Sequence, residues 1–382
     1  MNNRKLVLIA MATMGLAVSP VVSHAQDERL TIHGSANIGY GKTDGLPYFG
    51  LTKDGSSDYR ALALQFGYQI DQKNRVVTQL LHRNFGNSPM KAVQPVIEPI
   101  WAFYEHKFDN GFSVKAGRNP LPRGLFNEVR FIGSLLPFYR VGNSVYGETL
   151  EYIDGVVVGK PWTLGEGWKL ESYAFAGGYD LRYQIPTSSG TSVGKIRNEN
   201  SLGTQLWLKT PVRGVKVGAF LQSYQSTPNL TLPDSARSPR TVTAMYSADA
   251  TFDKAFARAE YATFDTKSPN YLKFRSYYVQ GGITPDEHWT VAVEYDNGYN
   301  DISFKPAPMP NLHLPLNEDL FGGVTYKPSA GVAFKVEAHT VRGYAFDQPV
   351  PSIIPPTAPP LVARLAPKSK VAYGLVSVAF SF

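Results

Sequence analysis

The chain has 382 residues and a formal charge of +7; 43% of its residues are hydrophobic, 13% aromatic and 18% charged. Because it contains no cysteine, a disulfide scaffold, a thiol nucleophile and a cysteine-ligated zinc or iron–sulfur site are excluded. Aromatic and β-branched residues occur throughout, which argues against disorder, and no apolar run long enough for a membrane helix follows the N-terminal segment.

Residues 1–25 have the features of a secretory signal peptide. Arg4 and Lys5 form a basic start, an apolar stretch follows, and Ser23-His24-Ala25 places small residues three and one before a cleavage site. The apolar stretch is short for a transmembrane helix and is interrupted by polar residues, glycine and proline. Without these residues the formal charge is +5, which is too small by itself to indicate a nucleic-acid partner. We therefore predict export to the bacterial cell envelope, with residues 26–382 as one mature domain.

From Leu30 to the end of the chain, apolar and polar residues alternate with a period of two, which predicts β-strands with two different faces. In one such segment Val291 and Val293 alternate with Ala292 and Glu294. A soluble β-sandwich would also show this alternation. The predicted strands are 29–40, 59–70, 75–85, 98–108, 112–118, 145–159, 168–179, 201–210, 214–225, 240–252, 254–265, 273–283, 289–299, 317–327, 332–345 and 370–382.

Further features favour a transmembrane β-barrel over a sandwich. Most predicted strands have about 9–13 residues, enough to cross a bilayer at a tilt, whereas strands of soluble proteins average ~5–6 residues. Short turns, such as 71–74 and 253–254, alternate with long polar or proline-rich connections. Aromatic residues gather at strand ends, where the membrane interface would lie. We predict an all-β fold, an antiparallel barrel of about sixteen strands in which the first and last strands pair to close the ring.

Residues 119–143 form a long connection of a different kind. They show no alternation but are rich in large apolar side chains, such as Leu121, Phe126 and Phe138. A connection of this length is uncommon unless it is functional, and water-exposed apolar side chains would be unfavourable. We therefore predict that it folds inward against the barrel wall and forms a constriction. The predicted constriction residues are Arg118, Arg123, Glu128, Arg130 and Arg140.

Three stretches around this connection carry a family resemblance: Val114-Lys115-Ala116-Gly117-Arg118, Leu121-Pro122-Arg123-Gly124-Leu125-Phe126 with Glu128 and Arg130, and Leu136-Pro137-Phe138-Tyr139-Arg140. Together they resemble the third-loop region of Gram-negative outer-membrane porins and are closest to the group that includes phosphate-selective porins. The resemblance implies a sixteen-stranded barrel, commonly a homotrimer, with the third loop as the constriction. The strands here lack the dense lysine and arginine lining of phosphate-selective members, so phosphate specificity is not implied.

If the apolar faces contact outer-membrane lipid, the alternate residues line a water-filled pore. This register is favoured because a charge at the middle of the lipid-facing surface would cost ~2–4 kcal/mol. The predicted pore-lining residues are Lys115, Lys216, Arg258, Glu260, Glu294, Lys335 and Glu337. We expect passive diffusion of small hydrophilic solutes with a weak preference for anions. Alternatively, the arginines pair with wall carboxylates such as Glu148, Glu151 and Asp154 and create no preference.

Other functions are less well supported by the sequence. Residues 190–194 match the pattern of a nucleophile elbow, but they lie in a Ser/Gly-rich stretch with no predicted helix after them. The histidines show no metal-ligand spacing. We therefore expect no catalytic residues, metal or cofactor; a barrel enzyme and a structural or secretion barrel are less favoured alternatives. A substrate-specific channel for sugars, carboxylates or aromatic compounds remains an open alternative.

Overall fold

The computed structural model describes residues 29–88, 97–147, 150–187, 190–228, 240–266, 271–303, 312–344, 347 and 369–382. The predicted signal peptide lies outside the described residues. Sixteen strands form the described part: β1 Leu30–Thr43, β2 Ser56–Gln69, β3 Asn74–Phe85, β4 Glu98–Lys107, β5 Ser113–Pro120, β6 Tyr152–Gly165, β7 Trp168–Thr187, β8 Gly190–Lys209, β9 Val215–Pro228, β10 Arg240–Thr251, β11 Ala255–Thr266, β12 Tyr271–Ile283, β13 Trp289–Ser303, β14 Leu312–Ser329, β15 Val332–Gly343 and β16 Ser369–Ser381.

The strands close into a single antiparallel barrel. Each strand pairs with its neighbours in the chain, and β1 pairs with β16, where Ser35 lies opposite Ser381 and Thr43 opposite Tyr373. Closure leaves no unpaired sheet edge, which is what a β-structure needs in lipid. The predicted all-β barrel of sixteen strands is confirmed for the described residues. Within the same residues, no helix is long and apolar enough to span a membrane.

The two ends of the barrel differ in the length of their connections. At one end β2 and β3 are joined by residues 70–73, and β14 and β15 by residues 330–331. The first of these turns is held by the Asp71 side chain, which accepts hydrogen bonds from the amides of Lys73 at 2.8 Å and Asn74 at 3.0 Å. The opposite end carries long connections such as 44–55 and 121–151. We call these the turn end and the loop end.

The two faces of the wall have different compositions. Val293, Leu320 and Val336 are each 60% exposed, and they belong to a larger set of exposed apolar side chains along the strands. Their alternates are buried; Glu294 and Glu337, for example, are 1% and 4% exposed. The period-two alternation of the sequence therefore separates an exposed apolar face from a buried polar face.

The sixth strand and the third connection differ from their predicted bounds. The strand predicted at 145–159 is β6 at Tyr152–Gly165, and the connection predicted at 119–143 spans 121–151. Asn143–Tyr146 form a single helical turn, α1, and Leu150 has a positive φ of 59°, which is incompatible with a continuous strand. The predicted boundary was wrong because Val145 and Tyr146 are buried by tertiary packing and not by strand pairing.

The hairpin of β7 and β8 is longer than predicted. The alternation indicated strands ending at 179 and restarting at 201, whereas the structure extends them to Thr187 and back from Gly190. The ladder is interrupted between Gly177 and Tyr179 and then continues. Residues 190–194, which resembled a nucleophile elbow, belong to the extended start of β8.

Candidate functional site

Residues 121–151, here called the third-loop segment, bury their apolar side chains against the polar face of the wall. One continuous cluster contains Leu121, Phe126, Leu136, Val145 and Tyr146 from the segment together with Phe175, Phe220, Met245 and Tyr278 from the strands. This packing removes these side chains of the segment from water, whereas Leu135 of the same segment is 56% exposed. The anomaly noted in the sequence, a long and apolar connection, is thereby explained.

Carboxylates of the wall accept hydrogen bonds from the backbone of the third-loop segment. Glu260 of β11 accepts from the Leu125 amide at 2.9 Å, and Glu337 of β15 accepts from the Tyr139 amide at 2.6 Å. Bonds from backbone amides to a carboxylate are stronger than bonds between neutral groups. The wall thus supplies acceptors for backbone groups that the segment, lacking strand pairing, cannot satisfy itself.

Two further wall residues, Asp296 and Lys335, bind the backbone of the segment, the first as an acceptor and the second as a donor. Asp296 of β13 accepts from the Ser144 amide at 3.0 and 3.2 Å. Lys335 of β15 donates from Nζ to the carbonyls of Gly133 at 2.7 Å and Phe138 at 2.6 Å. Charged side chains of both signs therefore bind the backbone of the segment.

Of these wall residues, Glu260 accepts the most hydrogen bonds. It lies opposite Ser247 of β10 and Tyr278 of β12 in the two adjoining ladders. Both side chains donate to its carboxylate, at 2.6 and 2.8 Å, and Tyr146 of the segment donates to it as well. A buried carboxylate is costly unless it is fully hydrogen-bonded, and these donors meet that requirement.

Two of the predicted constriction arginines, Arg118 and Arg130, lie close to carboxylates of the barrel. Arg118 lies opposite Asp154 in the β5–β6 ladder and donates two hydrogen bonds to its carboxylate, at 2.7 and 3.1 Å. Arg130 donates to the Gly147 carbonyl and lies 3.8 Å from Glu151. Burial lowers the pKa of Arg130 to about 10, so it remains charged at neutral pH.

Arg123 is only 1% exposed and lies among aromatic rings. It donates to the Val145 carbonyl, and its guanidinium carbon is 5.4 Å from the ring centre of Tyr146 and 5.7 Å from that of Phe264. Among the described residues, no acidic side chain lies within 4.0 Å of it. Burial lowers its pKa below the usual value for arginine. The cation is stabilised by ring faces in place of an ion pair.

Arg140 and Glu128 occupy different surroundings. Arg140 donates to the Tyr59 hydroxyl at 3.2 Å, and its guanidinium carbon is 4.3 Å from the ring centre of Phe49 and 4.5 Å from that of Phe85. Glu128 is exposed, and in the described part of the chain it makes no hydrogen bond or ion pair. Of the five predicted constriction residues, the structure brings Arg130 and Arg140 to one small cavity and Arg123 and Arg130 to the ring of Tyr146, while Glu128 lines the turn-end cavity.

The predicted pore-lining residues fall into two groups. Glu260, Glu294, Lys335 and Glu337 are at most 4% exposed because the third-loop segment covers the strands that carry them. The other three are half-buried. Arg258 donates to Asp249 at 2.9 Å, Lys216 lies over Trp207, and Lys115 lies over Phe103.

Sequence reasoning missed Arg83 and a second folded connection. Arg83 of β3 makes two hydrogen bonds to Glu151, and the signal for it in the sequence was a charged residue within a predicted strand.

The second folded connection is 44–55. In it Tyr48 is buried and donates to Asn317 at 2.6 Å, while Asp347 accepts from the Gly50 amide at 2.5 Å. Clusters of tyrosine and leucine within a predicted polar loop would have indicated this packing.

Two large cavities lie on either side of the third-loop segment. The loop-end cavity has a volume of about 500 Å³ and is lined by residues of β7 to β14 and by α1. The turn-end cavity has about 470 Å³ and is lined by His33, Gln65, Glu128, Phe131 and Phe382, among others. Two smaller cavities of about 30 Å³, both lined by Tyr139 and Arg140, lie next to the segment. Among the described residues, no group of three or more His, Asp or Glu could hold a metal ion.

Comparisons with solved structures find the same architecture. The chain matches OmpF of Salmonella typhi, in a complex with daunomycin, with a TM-score of 0.58 and 15% identity over 92% of this chain and 97% of that one. It matches the outer membrane channel DcaP of Acinetobacter baumannii with a TM-score of 0.56 and 11% identity, again over 92% and 97%. A loop-deletion variant of OmpT, an outer membrane protein of Vibrio cholerae, gives 0.55 and 9% over 92% and 99%.

The chain has the fold of these outer-membrane proteins. At such low identities the likeness extends to the fold alone. No family model matches the sequence, and no curated protein matches it. The resemblance to the phosphate-selective group therefore remains a prediction.

Proposed function

We propose that the protein is a bacterial outer-membrane channel for the passive diffusion of small hydrophilic solutes. The observation that carries this proposal is the closed sixteen-strand ring with an exposed apolar face and a buried polar face. An apolar outer face suits acyl chains, and a ring of this size leaves room for an aqueous interior. The fold shared with the channel DcaP adds support.

The third-loop segment constricts this channel. Its hydrogen-bond partners come from β8, β11, β13 and β15, with Gln205 of β8 accepting from the Gly124 amide at 3.1 Å. Partners on separated strands of a closed ring favour a position inside the ring. Cavities on both sides of the segment support the same arrangement.

The ion preference of the channel is weak. Arg118 is paired with Asp154, and Arg130 and Arg83 share Glu151, so much of the basic character of the constriction is neutralised. These pairings favour the alternative in which wall carboxylates balance the arginines.

The assembly we propose is a homotrimer in the outer membrane. OmpT of Vibrio cholerae has been solved in a trimer form and shares the fold, with a TM-score of 0.53. A monomeric mass in mild detergent would contradict the trimer but leave the channel proposal intact.

Reconstitution of the purified protein in planar bilayers tests the channel function. We expect stepwise KCl conductance and, in liposomes, uptake rates of neutral solutes that fall with solute size. Folding is checked independently by the heat-dependent shift of the band on gels. Folded protein that inserts but gives no conductance would refute the proposal.

A further inference from the structure

The loop-end cavity differs from the rest of the channel in its chemistry. Of the described residues that line it, none is aspartate, glutamate, lysine, arginine or histidine. The turn-end cavity, by contrast, includes His33 and Glu128. On the basis of the proposed channel function, we propose that the loop-end cavity is a binding site for uncharged solutes that carry an aromatic ring and hydroxyl groups.

The volume of the cavity fits a small organic molecule. It measures about 500 Å³, within the range of ~300–1,000 Å³ that is usual for ligand pockets. Such pockets combine apolar and aromatic walls with a few polar groups that orient the ligand. The loop-end cavity has both components.

Aromatic side chains from three separate elements form the apolar wall. Tyr146 comes from α1, Phe264 from β11 and Phe274 from β12. The ring centres of Phe264 and Phe274 are 5.7 Å apart, so the two rings form one continuous surface. The ring planes are inclined at 50°, so each ring offers its own face for packing against a planar solute group.

Neutral hydrogen-bonding groups complete the lining. The hydroxyls of Thr241 and Thr266 lie 2.9 Å apart and share one hydrogen bond, and Thr241 also bonds to Tyr224; the Thr266 oxygen keeps a lone pair that accepts from a solute hydroxyl. Ser144 accepts a hydrogen bond from Asn317 at 3.0 Å and directs its own hydroxyl to Asp296, so its oxygen keeps one lone pair that a solute hydroxyl can use. These groups match solute hydroxyls and offer no counter-charge.

The same lining disfavours charged solutes. An ion that enters the cavity loses hydration without gaining an opposite charge from the described lining residues. The nearby guanidinium of Arg123 lies against the rings of Tyr146 and Phe264 and is not itself a lining group. A neutral solute bears little of this cost, so the cavity discriminates by charge before the constriction is reached.

The test measures the block of KCl current through the reconstituted protein by three probes. Phenyl β-glucoside carries both a ring and hydroxyls, phenyl β-glucuronide has the same frame with a carboxylate, and methyl β-glucoside lacks the ring. We expect saturable block by phenyl glucoside at a concentration at least about tenfold below that of either other probe. Equal block by the three probes, or block by the glucuronide at a lower concentration, would overturn the proposal.

Variants link the block to the cavity. Thr266→Lys places a cation in the lining and is expected to reverse the preference toward the glucuronide. Thr284→Lys, in the short turn between β12 and β13 at the turn end, is the matched control and should behave as the unmodified protein. Phe274→Leu keeps the cavity neutral and apolar but removes a ring, and it should raise the half-blocking concentration of phenyl glucoside severalfold.

The outcome separates this proposal from the channel function. Conductance without selective block refutes the binding site and leaves the channel intact, whereas the absence of conductance in folded protein refutes the channel. A Thr266→Lys variant that folds and conducts but keeps the preference of the unmodified protein would also overturn the site.

Discussion

Arg83 and Glu151 face each other through two hydrogen bonds, of 2.5 and 2.9 Å, and both side chains are almost fully buried. The pair joins β3 to the last residue of the third-loop segment. Glu98 and Arg130 lie next to it, at 3.3 Å from Arg83 and 3.8 Å from Glu151. This network connects the wall at the base of the segment to the segment itself.

The first prediction concerns the removal of the Glu151 charge. Glu151→Gln removes the carboxylate that Arg83 and Arg130 share, leaving Arg83 with its longer contact to Glu98, and should lower the free energy of unfolding by about 3–5 kcal/mol. Denaturant unfolding of the protein in lipid vesicles measures this. Glu171→Gln is the control, since its partner Lys209 is half-exposed and the loss should be at most ~1 kcal/mol. Equal losses in the two variants would contradict the assignment.

The same carboxylate should make stability depend on pH. Burial raises the pKa of Glu151, but the neighbouring Arg83 and Arg130 outweigh burial and hold it below the usual value of 4.5. Because the folded pKa is lower than the unfolded one, the stabilisation is present above pH 4.5 and is lost as the pH falls below that value. Unfolding measured across this range should show a decline that is reduced in Glu151→Gln. An unchanged pH profile would argue against the pairing.

A third prediction concerns the anchoring of the third-loop segment. Glu260→Ala removes the acceptor of the Leu125 amide and of the Tyr146, Tyr278 and Ser247 hydroxyls, and each buried donor left unpaired costs about 1–3 kcal/mol. The segment should loosen, which gives a noisier and larger single-channel current. Glu287→Ala, at an exposed position of a short turn, serves as the control and should leave the current unchanged. A quiet, unaltered current in Glu260→Ala would show that the segment does not limit conduction.

Charge balance near the constriction gives a fourth prediction. Asp154→Asn leaves Arg118 and Arg197 without their shared carboxylate and should shift the reversal potential in a salt gradient toward anion selectivity, by roughly twofold in permeability ratio. Arg118→Gln should shift it the opposite way. Both shifts should shrink at high ionic strength because exposed charges are screened. Shifts of the same sign in the two variants would be inconsistent with the pairing.

The exposed apolar face provides the fifth prediction. Val293→Arg places a charge on this face and should destabilise the protein in a bilayer by ~2–4 kcal/mol if the position lies near the midplane. Val212→Arg introduces the same side chain at an exposed site in the turn between β8 and β9, where the expected effect is within about 0.5 kcal/mol. Urea titrations in lipid vesicles measure both. Equal effects would mean that the face containing Val293 does not contact lipid.

Much of the wall could be predicted from the sequence because the period-two pattern is a local signal. The strand that contains Val291, Val293 and Glu294 was predicted at 289–299 and observed at Trp289–Ser303. The pattern failed where tertiary contacts replace it. Val145 and Tyr146 alternate poorly and are buried in α1, where the Tyr146 hydroxyl reaches Glu260, 114 residues further along the chain.

The chemistry of the constriction could be predicted only in part. The apolar composition of residues 119–143 correctly indicated a segment that must be buried. The pairing of Arg118 with Asp154 depends on the register of β5 against β6, which a single sequence does not specify. Likewise, Glu260 and Glu337 were predicted to line the pore, whereas the path of the segment makes them acceptors for its backbone.

The chain positions of the side chains that bind the third-loop segment limit the order in which the barrel can fold. Gln205, Glu260, Asp296 and Glu337 are far downstream of the segment in the chain, and they converge only when the later strands have joined the ring. Before that moment, the backbone amides of the segment have water as their partner. The segment can therefore reach its full set of hydrogen-bond partners only after β15 has joined the ring.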